Sequence, residues 1–189
     1  TRKDYAMNQE LTPDITKDQF DEFFKRIQES ALERMSEKTE SLLPELVVLT
    51  KKIDEEDSIT CCLIATPFNE DKEKRQCLYR LGCKFYAEQM FPAAIALHCE
   101  AWMAKHIKGG VQPRHAASRR EVIMIAAKTF AHGYNRAAFI PVKRDAENLM
   151  VQAGDIQITD SNSMPILDWF YKGFFMDIMK KLGMKVQEP

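Results

Sequence analysis

The chain has 189 residues, 45% hydrophobic and 29% charged, and a formal net charge of −1. That length fits one domain with a single buried core, and the composition is that of an ordinary globular protein. A balance of 27 Lys/Arg against 28 Asp/Glu offers no overall field to draw a nucleic acid or a membrane surface.

The charge is unevenly spread, with 9 Lys/Arg against 15 Asp/Glu in residues 1–60. No apolar run approaches the ~18 residues that a membrane span needs. The opening TRKDYAMNQELTPD lacks the apolar stretch of a secretory signal. Five cysteines, an odd number, then point to a reducing, cytoplasmic setting.

Residues 1–15 read as a flexible N-terminal arm, and residues 16–185 as a single domain. From Thr16 a helix is predicted, because Phe20, Phe23, Phe24, Ile27, Ala31 and Met35 recur at helical spacing before Pro44. The runs ELVVLTKK and SITCCLIAT, separated by charged residues, predict a hairpin, with the second run apolar enough for a central strand. Asn69 suits the cap of a second helix with Leu78, Leu81 and Phe85 facing inward, ended by Phe91-Pro92.

Strands are predicted over 93–104, 120–130 and 136–143, and two shorter ones near 148–152 and 155–159 suit an added hairpin. A last helix capped by Ser163 closes the chain, with Lys180 and Lys181 near its end and Gly183 beyond it. The order α-ββ-α-βββ(ββ)-α reads as α+β: a mainly antiparallel sheet covered by helices.

Chemistry concentrates in HCEAWMAKHIKGGVQPRHAASRRE, residues 98–121. On a strand, period two puts His98, Glu100 and Trp102 on one face, about 6.8 Å between neighbours, with Ile95, Leu97, Cys99, Ala101 and Met103 on the other. His98 and Glu100 are therefore candidates for an acid–base or metal-binding pair. The competing reading makes Trp102 a packing residue and Glu100 the partner of Arg119 or Arg120. The H-x-E order of zinc deaminases is present, but no cysteine follows Glu100, so the metal site of that chemistry is incomplete. No metal site and no cofactor is expected, since the usual nucleotide, zinc-protease, esterase and calcium motifs are missing from the sequence. Ser118 near His115 lacks a third group for a triad, and Asp145 and Glu147 read as turn residues.

Between Ala101 and Arg120 there are five Lys/Arg and no Asp/Glu. Lys105, Lys108, Arg114, Arg119 and Arg120, with Trp102 as an aromatic anchor, form a candidate site for an anionic partner. A solvated connector is the plain alternative. In the last helix Trp169, Phe170, Phe174 and Phe175 leave only a broken polar stripe, which suits a self-association or partner interface as well as an enclosed helix.

The succession EAW (100–102), a polar loop, RRE (119–121) and IPVKRD (140–145) resembles a group of short uncharacterised bacterial and phage proteins. The resemblance spans roughly residues 75–145. It implies an α+β domain in a phage or mobile-element setting and carries no reaction. The more basic loop is a departure from that group. The expectation is a cytoplasmic, non-enzymatic binding, adaptor or assembly protein that forms a homodimer or joins a complex. An enzyme using His98 and Glu100, and a nucleic-acid-binding module, are the alternatives.

Overall fold

The computed structural model describes residues 14–37, 39–50, 70–104, 117–160, 165–183 and 189, and residues 58–63 by their backbone. Thr16 starts α1 (Lys17–Ser36) with a reciprocal cap: its hydroxyl accepts from Gln19 N at 3.2 Å, and its own N–H donates to the Gln19 side chain at 2.9 Å. The buried residues of α1 are Phe20, Phe23, Phe24, Ile27, Ala31 and Met35, the stripe read from spacing. Ile15 is only 3% exposed, so it belongs to the core rather than to the arm; residues 1–13 lie outside the described residues.

β1 (Glu45–Thr50) pairs antiparallel with β2 (Ser58–Leu63), as the hairpin reading expects. β2 is nevertheless at one end of the sheet order β2-β1-β3-β4-β5-β6, which corrects its central placement. The interior positions go to β1, β3 (Pro92–Met103), β4 (Arg120–Thr129) and β5 (Asn135–Arg144). Both faces of these strands are covered, which explains why β1 is buried at every position and shows no alternation.

α1 packs on the face bearing Val47, Leu49, Ala96, Ile123, Ile125 and Ile140. The opposite face, with Leu46, Val48, Ile95, Leu97 and Ala126, takes α2 (Asp71–Ala87) and α3 (Pro165–Phe174). The fold is therefore α+β, an antiparallel sheet with helices on both sides.

β6 (Met150–Gln152) and β7 (Gln157–Thr159) do not pair with each other. Each pairs with a different part of β5, at residues 142–144 and 137–139, so the expected hairpin is instead one interrupted edge along β5. The turn into β6 is held by the Asp145 carboxylate, which accepts from Glu147 N and Leu149 N at 2.9 Å each. Glu70 rather than Asn69 precedes α2, and its N–H donates to Glu73 at 3.3 Å; Asn69 and Ser163 lie outside the described residues. The last helix breaks at Phe175 into α3 and α4 (Met176–Lys181), followed by Gly183 at φ 72°.

α2 and α3 cross at two glycines. A Cβ on Gly82 would overlap the Phe170 carbonyl and stand 2.7 Å from Phe174 N, while one on Gly173 would overlap the Tyr79 carbonyl. Backbone lies against backbone, so no flexible side chain can yield. This approach encloses Phe170 and Phe174, which have no exposed surface, and Phe175 at 6%. The interface expectation is corrected for these three: they belong to the domain's own core. Trp169 is half-buried, with Lys172 Nζ 3.8 Å from its ring centre and the Arg75 guanidinium 5.9 Å away.

Gly82→Ala and Gly173→Ala should each destabilise the fold by about 3 kcal/mol, the upper end for overpacking a core. Urea denaturation of the two variants measures this. A loss below about 1 kcal/mol would mean that the helices do not meet there.

Candidate functional site

Ala94, Ala96, His98, Glu100 and Trp102 share one face of β3, the face toward α1. Along it the environment changes from dry to wet. His98 is 1% exposed, the Glu100 side chain 30% and Trp102 43%. His98 and Glu100 therefore share a face without forming a pair.

His98 stands opposite Glu45 of β1 in the antiparallel register. Its Nε2 lies 2.7 Å from Glu45 Oε2, and Arg34 Nη2 from α1 reaches the same oxygen at 2.8 Å. A carboxylate oxygen only accepts, so Nε2 is the donor, and in the neutral ring that burial favours Nδ1 carries the lone pair. Nδ1 is buried and, among the described residues, has no hydrogen-bond partner. Burial holds the His98 imidazole below its ordinary range, against the opposing pull of Glu45. The carboxylate that orients the buried His98 imidazole is Glu45, not Glu100.

Glu100 accepts from Leu42 N at 2.6 Å and stands 3.4 Å from Arg144 Nη2. Arg144, at the end of β5, also grips Glu121 through two nitrogens, with Nε donating at 3.1 Å, and donates to the carbonyl of Glu40. The sequence reading of Glu100 as an ion-pair acceptor holds, but its arginine is Arg144 rather than Arg119 or Arg120. Register explains this: Trp102 faces Glu121 and Met103 faces Arg120 across β3–β4, so neither arginine falls beside Glu100.

Arg119 instead lies over the Trp102 ring, 5.1 Å from its centre, and Arg120, opposite Met103, is exposed on the other face of the sheet. The structure thus brings Trp102 and Arg119 together at one end of the sheet, with Arg120 at the same end on the opposite face. Lys105, Lys108 and Arg114 lie outside the described residues, as do His106 and His115.

Sequence reasoning missed two groups at the other end of α1. Arg136 of β5 donates from Nη1 to Asp21 at 2.8 Å and from Nε to Asp160 at 2.7 Å, with its guanidinium 5.7 Å from the Phe24 ring centre. Nearby a shallow cleft of ≈ 430 Å³ is lined by Asp14, Lys17, Gln19, His132 and Tyr134, with His132 touching Asp14 and stacked on Tyr134. The available signal was an acid one turn into α1 and an arginine within an apolar strand.

Among the described residues no group of three or more His, Cys, Asp or Glu is placed to hold a metal ion. Among the described residues Cys77 and Cys99 are free thiols, and burial pushes both up. No described helix is long and apolar enough to cross a membrane. Comparison with protein-family models, curated proteins and solved structures finds no match.

Arg144→Gln leaves Glu100 and Glu121 as two partly buried acids without their shared cation, and should cost about 2–3 kcal/mol. Glu100→Gln should cost about 1 kcal/mol, because the amide oxygen still accepts from Leu42 N and Glu121 still neutralises Arg144. Chemical denaturation gives both values, and the reverse ranking would remove Arg144 from the centre of this cluster.

Proposed function

We propose that the protein works by binding an anionic partner at the β3–β4 end of its sheet, as an adaptor or assembly component and not as an enzyme. The observation that carries this reading is the exposed Trp102 ring with the Arg119 guanidinium over its face, and Arg120 at the same end of the sheet. Such a cation–aromatic surface presents positive charge and flat apolar area together, a combination that suits partner recognition. The chain joining these strands adds Lys105, Lys108 and Arg114 in sequence and no acid.

Glu100 and Glu121, the carboxylates at the ends of β3 and β4, are engaged by Arg144. The enzyme alternative has less support, since His98 is buried and committed to Glu45. A cytoplasmic setting agrees with the free thiols.

Replacing Arg114, Arg119 and Arg120 together by Ala should lower the salt concentration needed to elute the protein from heparin, because charge-driven binding weakens with screening and counterion release. Circular dichroism first establishes that the variant is folded. Elution of folded variant and wild type at the same salt concentration would make residues 105–120 a solvated connector.

A further inference from the structure

Near the C-terminal end of α1, helix and sheet meet through Arg34, Glu45 and His98, two cation-capable groups on one carboxylate oxygen. We propose that this trio is a proton-operated latch: uptake of one proton from solvent at His98 Nδ1 releases the last turns of α1 and residues 39–44 from the sheet.

The closed arrangement has no place for that proton. Nε2 already donates to Glu45, so the proton must go to Nδ1, which is buried and has no hydrogen-bond partner among the described residues. The charged groups around His98 among the described residues are Arg34 from α1, Glu45 from β1 and Glu100 on the same face of β3. Glu100 is already engaged by Leu42 N and Arg144. β4 sets Ile125 opposite His98 and Ile123 opposite Glu100, and the buried stripe of α1 in this core is apolar. Protonation would leave a donor without an acceptor and place Arg34 and an imidazolium against one carboxylate. Opening relieves both, because water then solvates each group.

The sign follows from linkage. The closed form holds the His98 pKa below its free value, whereas an opened His98 titrates near ~6.5. Above that pH both forms are neutral and the latch is at full strength. As pH falls through it, the open form gains protons that the closed form refuses, and closure weakens. The opening is local because Arg34, with 37% of its side chain exposed, lies two residues before the end of α1. The segment beyond it is tied to the sheet by Leu42 N on Glu100, the Glu40 carbonyl on Arg144 and Met150 N on the Thr39 carbonyl at 2.9 Å.

Amide hydrogen exchange at pH 7.5 and pH 5.0, corrected for intrinsic rates, reads the latch directly. In the wild type the opening constant for residues 28–37 and 39–44 should rise toward about 30-fold on acidification, the ratio of 1 + 10^(pKa − pH) for a free histidine of pKa ~6.5 at the two pH values. His98→Gln keeps a donor for Glu45 and cannot titrate, so its protection should not change with pH. His132→Gln should behave as wild type. Equal loss of protection in His98→Gln and wild type overturns the proposal. Should His98→Gln not fold, the wild-type pattern decides: loss confined to residues 28–37 and 39–44 supports the latch, and equal loss across α2, β4 and β5, or no loss, overturns it.

Discussion

One face of β3 runs from the driest part of the core to solvent, and the depth of each position dictates its chemistry. Ala94 and Ala96 are fully covered and lie in the core against which α1 packs. At His98 a polar group is still fully buried, where an unpaired charge would be prohibitive, so the ring stays neutral and donates to a carboxylate. At Glu100 some water is present and a full ion pair with Arg144 is sustainable. At Trp102 the face reaches the rim, and Arg119 stacks on an exposed ring. Three adjacent same-face residues thereby serve three unrelated purposes.

The partners along that face also determine how α1 lies on the sheet. Arg34 ties its C-terminal part to Glu45 of β1, and Asp21 ties its N-terminal part to Arg136 of β5. Between these pairs the aromatic and aliphatic stripe of α1 fills the space over the central strands. The burial of that stripe supplies most of the attraction, at about 25 cal/mol per Å² of apolar area, while the ion pairs fix rotation and register. The opposite face is closed by a different device, the approach of Gly82 and Gly173, which lets two helices sit as one layer.

Features set by local periodicity were legible in the sequence: the α1 stripe, the hairpin, the faces of β3 and the turn role of Asp145. Features set by register and strand order were not. Glu45 lies 53 residues from His98, and only the β1–β3 register makes them neighbours. Arg144 reaches Glu100 from the end of β5, whereas nearness in sequence favours Arg119 and Arg120. SITCCL reads as central from its apolar content, yet composition carries no information about which of two hairpin strands takes the edge. The apolar last helix gave no sign of what covers it, because the answer depends on Gly82, a residue with no side chain to signal a contact.

The central claim is that His98 is a neutral structural histidine that donates from Nε2 to Glu45. Long-range proton–nitrogen correlation of the histidine rings at pH 7.5 tests it most directly. The account predicts for His98 a protonated Nε2 and a bare, pyridine-like Nδ1. A protonated Nδ1, or a doubly protonated ring at that pH, would contradict it.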